Sequence, residues 1–315
     1  MLQFPKGVYR NVIFPGTLYL RGEGGMYGIR KRLKQLEKQP EEKVRGYQRN
    51  KLANLLRYAA DNVEWYRELL PSNGGHEELL KSFRRLPLLR KRDVQEHEEA
   101  LSSQRLFSLT RKKTTGGSTG EPVTIRKNAG AIAHERAATW LAYGWFGLRV
   151  GDRGIRFWGV PSRGVGVRIR HWLASLVTNC VRLSAFDFSQ QDLDEYWEIC
   201  VREQPDYFYG YVSMLTAFAR HVQTQGYAGG QLGLQSIVAT AEVLTQPDRE
   251  LLRNTFQAPV QNEYGCGEVG PIAYECPQGT LHVASDSVYL EVLDEGGRPV
   301  GPGETGDVVV TDLNN

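Results

Sequence analysis

The chain has 315 residues, of which 41% are hydrophobic and 24% charged, the balance of an ordinary soluble globular protein that can bury a sizeable core. A formal net charge of +3 is too small to indicate nucleic-acid binding, and no apolar run approaches the ~18–20 residues of a membrane-spanning helix. The four cysteines lack the spacing of a disulfide framework, so we expect reduced thiols in a cytoplasmic protein.

The amino-terminal region, residues 1–104, is predicted to be helical and polar. Residues 1–50 hold 11 Lys and Arg against 4 Glu, a local charge of +7 within a total of +3, so the remainder carries −4. This basic arm is either a solvated helix face or a surface for peripheral contact with an anionic membrane or partner. Apolar residues at helical spacing predict a helix around Leu52–Ala59, and Pro71, Gly74-Gly75 and Pro87 divide the following stretch into short helices.

Residues 105–285 alternate between strand and helix patterns, which predicts an α/β core. The strand candidates are Ile155–Val160, Tyr207–Tyr211, Ser236–Thr240 and Pro259–Glu263. One helix is expected from Ser189 to about Glu203, where Asp192 is placed to complete a capping box, and another over 213–225. Leu193, Trp197 and Cys200 fall on one face of the first helix and are interpreted as core contacts.

The β periodicity that begins after residue 286 predicts the start of a β-rich subdomain over residues 286–315. Val288–Val292 and Asp307–Thr311 are the strand candidates. Turns are expected between them at Glu295-Gly296-Gly297 and Gly301-Pro302-Gly303.

The segment Thr114–Pro122 is the most informative part of the chain. Three glycines and four hydroxyl residues occupy the seven positions 114–120. Glycine allows backbone N–H groups to converge on an anion, and hydroxyls add short donors, so the loop suits the phosphates of a nucleotide. No Gly-Lys-Ser/Thr follows, so it is not a Walker loop, and a nucleotide hydrolase is disfavoured. The alternative is a plain flexible turn.

A second segment, Asn262–Glu268, combines an aromatic ring, two glycines and a carboxylate. Its alternative interpretation is an ordinary strand-to-loop turn. Glu242 and Tyr264 are each predicted just beyond the end of a strand, where ligands bind in open parallel α/β sheets.

Taken in this order, the two segments resemble the adenylate-forming superfamily, and most closely the branch of phenylacetate–CoA ligase and the capsular-polysaccharide adenylating enzymes. The resemblance covers roughly residues 45–315. It is carried further by Leu86–Lys91, Ala239–Glu242, Glu275-Cys276, Leu281-His282, Gly303–Asp307 and Thr311–Asn314.

The implied fold is α/β, the large domain of these enzymes with doubly wound sheets and the start of a β subdomain. In the family an aspartate-bearing segment and a mobile carboxy-terminal lid domain with a catalytic lysine would follow Asn315. We therefore expect the chain to be the amino-terminal part of such an enzyme, weakly active or inactive by itself.

The resemblance also implies roles for individual residues. Thr115, Gly116, Gly117, Ser118, Thr119 and Gly120 would bind the phosphates of ATP, with Thr119 counted as catalytic. Tyr264 and Gly265 would hold the adenine, and Glu268 would be catalytic as the Mg²⁺ ligand. Glu242 would border the nucleotide or acyl pocket, or else it is a carboxylate near a helix N-terminus.

Three features leave the transfer of these roles open. Tyr209 and Tyr211 either line the acyl pocket or pack in the core. Gly116 stands where the family often has serine, and the lysine common after the proline is missing, with Arg126 and Lys127 close enough to compensate in part.

The implied reaction is that of an AMP-forming acid–CoA ligase acting on a carboxylic acid, ATP and CoA, with a place in capsule or other surface-polysaccharide synthesis. The alternative is a non-catalytic nucleotide-binding or scaffold protein of polysaccharide assembly.

Cys276 and His282 form a Cys-x₅-His pair whose donors suit zinc. Some members of the branch hold a structural Zn²⁺ there, completed by two later cysteines, which would lie beyond residue 315. We therefore expect no firmly held metal in this chain. The alternative is a buried thiol and a hydrogen-bonded imidazole.

Overall fold

The computed structural model describes residues 4–105, 109–114, 122–159, 175, 178–186 and 188–315. The chain forms two compact units, each assembled from separate segments. The first unit comprises Met1–Leu20, Thr139–Gly265 and Ala273–His282, and the second comprises Arg21–Ala138, Cys266–Ile272 and Val283–Asn315.

Helices dominate the amino-terminal region, strands and helices both occur from residue 110 to Phe256, and the strands after Phe256 follow one another with no helix between them. The α-helices within the described ranges are Lys6–Val8, Phe14–Leu20, Met26–Leu36, Glu41–Asn62, Glu64–Arg67, His76–Phe83, Lys91–Glu96, Ala129–Tyr143, Gln190–Glu203, Val212–Thr224 and Gln246–Phe256. Tyr9–Ile13 is a π-helical turn, and Gly144–Phe146 and Gly229–Leu232 are 3₁₀ turns. The strands are β1 (Thr110–Thr114), β2 (Thr124–Asn128), β3 (Gly154–Phe157), β4 (Cys180–Leu183), β5 (Tyr207–Tyr211), β6 (Ser236–Thr240), β7 (Val260–Cys266), β8 (Gly270–Glu275), β9 (Leu281–Val283), β10 (Val288–Leu293) and β11 (Asp307–Asp312). Within the described ranges, no helix combines the length and apolar character required to cross a bilayer.

A seven-stranded sheet in the order β4-β3-β5-β6-β7-β8-β9 organises the α/β part of the chain. The strands β4, β3, β5, β6 and β7 are parallel to their neighbours. The chain runs from β3 to β4 on one side and then returns to place β5 on the other side of β3. This reversal of strand order is a topological switch point, and in open α/β sheets the ligand-binding crevice lies at such a point, here the carboxyl ends of β3 and β5.

Side chains of β3 and β5 alternate between two covered faces of the sheet. On one face Phe157 and Phe208 contact Phe218 of the helix Val212–Thr224, at ring-centroid distances of 5.3 and 6.1 Å. On the other face Trp140 meets Tyr207 at 6.2 Å. Helices cover both faces, as the predicted doubly wound α/β fold requires.

Local sequence signals predicted several elements well. The strands Tyr207–Tyr211 and Ser236–Thr240 have the predicted bounds. The helix Gln190–Glu203 begins with the predicted capping box between Ser189 and Asp192. Its face of Leu193, Trp197 and Cys200 is buried in the core, as expected. The predicted strand over 155–160 is observed as β3, but it ends at Phe157, so its predicted end was too late by at least two residues; Val160 lies outside the described ranges.

The end of β7 was also predicted wrongly. The strand expected to stop at Glu263 continues through Tyr264 and Gly265 to Cys266. Its neighbour β6 pairs with it only as far as Glu263, but β8 flanks it on the other side of the sheet. Tyr264 and Gly265 are therefore strand residues, and the turn occupies residues 267–269.

The second unit contains a smaller apolar core. The helix Glu41–Asn62 buries Leu52 and Leu56 against Leu70, Leu79 and Leu313. Two antiparallel pairs, β1 with β2 and β10 with β11, belong to this unit, and the second pair confirms the predicted β structure after residue 286.

Candidate functional site

The glycine- and hydroxyl-rich loop is bounded by an antiparallel strand pair. Thr114, the last residue of β1, lies opposite Thr124 of β2, and their hydroxyl oxygens are 3.4 Å apart. Thr115, Gly116, Gly117, Ser118, Thr119 and Gly120 lie outside the described residues. Their phosphate-binding role stays a prediction.

Lys127, one of the two basic residues that follow this loop, is buried in β2 and already neutralised. Its ammonium lies 3.3 Å from a carboxylate oxygen of Glu135 and 3.1 Å from one of Asp312. It also donates a 2.6 Å hydrogen bond to the Val269 carbonyl. Arg126 faces Glu98 at 3.3 Å on the surface. These contacts assign Lys127 a structural role in its unit.

Glu242 follows β6 through a left-handed residue, Ala241, whose φ is +66°. An L-residue with this backbone carries a strain of about 1 kcal/mol or more. The turn brings the carboxylate to the start of the helix Val212–Thr224, where it accepts bonds from the Ser213 backbone N–H at 2.6 Å and from its hydroxyl at 2.9 Å. A first-turn N–H has no partner inside its own helix, so this carboxylate supplies one. Glu242 therefore has the predicted strand-end position and also the role near a helix N-terminus that was its alternative.

The predicted adenine and Mg²⁺ ligands lie at the end of β7 and just after it. Tyr264 and Gly265 are in the strand, and Glu268 is in the turn that follows. The Tyr264 side chain is 44% exposed, so its ring face is accessible to a planar ligand such as adenine. Glu268 is half-buried in the turn and belongs to the second unit. Its carboxylate is a hard oxygen donor of the kind that Mg²⁺ takes. The adenine-binding role of Tyr264 and Gly265 and the Mg²⁺-binding role of Glu268 stay predictions.

Cys266, the last residue of β7, lies two positions before Glu268 of the following turn. Burial, and to a smaller extent the Glu268 carboxylate, raise the pKa of the Cys266 thiol.

A buried carboxylate that sequence reasoning missed, Glu263, lies at the centre of the β5–β7 region. It accepts a hydrogen bond of 3.0 Å from the Tyr143 hydroxyl and another of 3.0 Å from the Tyr209 hydroxyl. Burial, and next the Glu263 carboxylate, raise the pKa of both phenols, so they remain donors. The Thr240 hydroxyl binds the Glu263 backbone carbonyl at 2.9 Å. The sequence offered one signal for this residue, because a glutamate within a strand that is expected to be buried needs hydrogen-bonding partners.

Arg156 is a second missed residue, and it lies at the switch point. Its guanidinium carbon is 4.8 Å from the Trp158 ring centroid and 4.3 Å from that of Tyr209. Trp158 in turn stacks on Tyr211 at 4.3 Å with an interplanar angle of 10°. The sequence signal for this residue was its position as an arginine within the otherwise apolar run Ile155–Trp158. Tyr209 thus serves the buried network, whereas Tyr211 is half-buried at the end of its strand.

Cys276 and His282 both belong to the first unit but do not by themselves make a metal site. The His282 ring packs edge-on to Trp145 at 5.7 Å. Structural zinc takes four ligands, and the part of the chain described here holds no cluster of three or more His, Cys, Asp or Glu suited to a metal ion. No chemistry is assigned to zinc. All four cysteines are free thiols.

Two curated proteins are similar in sequence to this chain. Protein CapK of Staphylococcus aureus is 24% identical over 247 residues, which covers 75% of this chain and 53% of that protein. Phenylacetate-coenzyme A ligase of Thermus thermophilus is 26% identical over 295 residues, which covers 89% of this chain and 64% of that protein. The chain thus spans between about half and two thirds of the length of these relatives.

Solved structures share the fold. An open conformation of 2-hydroxyisobutyryl-CoA ligase, in complex with 2-HIB-AMP and CoA, superposes with a TM-score of 0.65 at 18% identity and covers 84% of this chain and 65% of that one. The same ligase in the thioesterification state also gives a TM-score of 0.65 at 18% identity, over 87% of this chain and 61% of that one. At this identity the likeness establishes the fold alone, and it confirms the predicted α/β architecture.

The family model described as AMP-binding enzyme matches residues 110–314, well over half of the chain. The resemblance to adenylate-forming enzymes, including the phenylacetate–CoA ligase and capsular branch, is thereby confirmed. The chain belongs to the family of AMP-binding enzymes.

Proposed function

We propose that this chain supplies the nucleotide- and acid-binding part of an AMP-forming enzyme that joins a carboxylic acid to CoA. The observation that carries the proposal is the family match over residues 110–314. That single stretch contains the glycine-hydroxyl loop, Glu242 and the segment from Tyr264 to Glu268. The similarity to a protein named phenylacetate-coenzyme A ligase supports the acid and CoA as partners.

A carboxylate needs activation because its own leaving group would be oxide, and ATP supplies AMP as a better leaving group. The chain's residues have the task of positioning and charge neutralisation rather than covalent chemistry. In the proposal, Ser118 and Thr119 donate to phosphate oxygens, Tyr264 stacks on adenine, and Glu268 holds Mg²⁺. Glu242 fixes the start of the helix Val212–Thr224, which follows β5 at the edge of the crevice.

The similarity to Protein CapK supports a narrower proposal, that the product serves the synthesis of a surface polysaccharide. The site and its chemistry are the same in both versions.

ATP–pyrophosphate exchange by the full-length protein tests the function. A panel of aliphatic and aromatic acids is supplied with ATP and Mg²⁺, and exchange that depends on one acid is the expected result. Failure with every acid, together with no ATP binding in a direct titration, would contradict the proposal.

Glu268→Gln tests the metal ligand in the same assay. Removing one preorganised electrostatic partner costs about 10²–10³ in rate, so exchange should fall by that factor while the fold is kept. Glu295→Gln, in an exposed turn, is the matched control and should exchange at the parental rate. Parental exchange by Glu268→Gln would remove Glu268 from the site.

A further inference from the structure

Two arginines lie side by side on neighbouring parallel strands at the switch point. Arg156 of β3 is in register with Arg182 of β4, which is the edge strand of the sheet. Residues in register on parallel neighbours are separated by one strand spacing, about 4.8 Å. Both side chains therefore project from the same face, opposite to Phe157 and the helix Val212–Thr224.

Neither guanidinium forms a direct salt bridge with a described residue. Across the described ranges, Arg156 and Arg182 take part in no ion pair and no side-chain hydrogen bond, and the Nε atom of Arg156 is buried without a partner. Three other arginines of this unit do form such pairs, Arg10 with Asp152, Arg153 with Glu203 and Arg249 with Glu275. Burial acts against the charge of Arg156, but nearby groups that include the Glu263 carboxylate outweigh it and raise the pKa of Arg156, although Glu263 forms no salt bridge with it and accepts hydrogen bonds from two phenol hydroxyls.

The charge of Arg156 disfavours that of Arg182. Partial burial, and next the nearby Arg156 guanidinium, lower the pKa of Arg182. Removing a guanidinium partly from water carries a free-energy cost, and for Arg182 the neighbouring like charge adds to it. The rings of Trp158 and Tyr209 offset part of this cost for Arg156. An anion placed between the guanidiniums would relieve the remainder.

The position of this pair also fits a ligand. Above Arg156 the stacked rings of Trp158 and Tyr211 line the carboxyl end of β3 and β5, and Phe186 meets Tyr211 at 5.5 Å. The strand order places β6, which leads to Glu242, two strands from β3, or about 10 Å away. If the carboxylate that reacts is held beside Glu242 after β6, the ligand must extend toward β3, and only the group at its opposite terminus can reach the arginines.

We propose that Arg156 and Arg182 bind a second anionic group at the far end of the acid, so that the substrate is a dicarboxylic acid with an apolar spacer. The spacer lies along the Trp158 and Tyr211 rings, and the distal carboxylate accepts hydrogen bonds from the two guanidiniums, a geometry that planar guanidinium groups favour. This inference rests on the proposed function and specifies its substrate class.

Matched pairs of acids in ATP–pyrophosphate exchange test it with the full-length protein: hexanoate against adipate, octanoate against suberate, and phenylacetate against 4-carboxyphenylacetate. Exchange requires no CoA, so only acid and ATP are varied. The parent should prefer the dicarboxylate of at least one pair. A hydrogen bond to a charged group corresponds to about 10- to 100-fold in affinity, so Arg156→Met should lower kcat/KM for that dicarboxylate by this factor. The monocarboxylate and the KM for ATP should be unaffected.

Arg182→Met should act in the same direction with a smaller effect, because Arg182 is on an edge strand and exposed. Arg156→Lys keeps the charge and should retain part of the preference if Arg156→Met proves poorly folded. Arg253→Met, an exposed arginine with no described ion pair on another helix of the unit, is the matched control. Three results would overturn the proposal. The first is an equal loss of activity for both acids of a pair, and the second is a parent that prefers the monocarboxylate of every pair. The third is a variant that changes only the KM for CoA in the complete reaction.

The two proposals can fail separately. If no acid supports exchange, the function fails, and calorimetric titration of adipate, suberate and 4-carboxyphenylacetate without ATP then decides the inference. Dicarboxylate binding that weakens in Arg156→Met would uphold it. Absence of binding to the parent would overturn it.

Discussion

The hydrogen bonds that converge on Glu263 should be a measurable part of the stability of the first unit. Its side chain is buried, and each carboxylate oxygen accepts one phenol hydroxyl at 3.0 Å, from Tyr143 and from Tyr209. Tyr→Phe substitution removes the hydroxyl and leaves the ring packing in place. The change in the free energy of unfolding therefore isolates one donor to a buried charge.

A hydrogen bond to a charged group contributes about 1.5–3 kcal/mol. We expect Tyr143→Phe and Tyr209→Phe each to lower the free energy of unfolding by about 2 kcal/mol. The double variant should depart from the sum of the single effects by at least about 0.5 kcal/mol, because both hydroxyls serve one carboxylate. Tyr19→Phe, whose side chain is 80% exposed, is the control and should stay within about 0.5 kcal/mol of the parent.

Urea unfolding followed by tryptophan fluorescence measures these changes, since Trp140 packs against Tyr143 and Tyr207. Single variants as stable as Tyr19→Phe would refute the view that the carboxylate depends on these donors. Strict additivity in the double variant would show that the two hydroxyls act independently.

Two further predictions concern the second unit. Glu23 is fully buried and lies 3.0 Å from Arg111 and 2.5 Å from Arg136, whose side chains are 37% and 32% exposed. Because water still reaches these arginines, Glu23→Gln should lower the free energy of unfolding by about 2 kcal/mol, the size of a hydrogen bond to a charged group, in urea titrations where Glu295→Gln changes little. A change below about 0.5 kcal/mol would contradict this. The second prediction concerns Cys266, whose pKa is raised by burial and by the nearby Glu268 carboxylate. Because the thiolate is the reactive form of cysteine, Glu268→Gln should lower that pKa and accelerate the labelling of Cys266 by iodoacetamide at pH 8. Mass spectrometry of the labelled peptide measures the rate. The difference from the parent should vanish at a pH well above both pKa values, and an unchanged or slower rate at pH 8 would show that the carboxylate does not act on the thiol.

The sequence by itself determined features whose causes lie within a few residues. The capping box at Ser189, the buried face of Leu193, Trp197 and Cys200, and the aromatic strand Tyr207–Tyr211 follow from neighbouring side chains and periodicity. The order of short motifs was likewise sufficient to identify the family, because those motifs are local. For the same reason the sequence placed Glu242 correctly at the end of a strand.

Only the tertiary structure decided which side chains meet across long separations. Glu263 and Tyr143 are 120 positions apart, and their contact depends on how a helix lies on the assembled sheet. The strand β7 runs past its predicted end because pairing with a neighbour, rather than its own composition, determines where a strand stops. Arg156 and Arg182 are brought into register by the parallel pairing of β3 with β4, and no pattern within either strand contains that information.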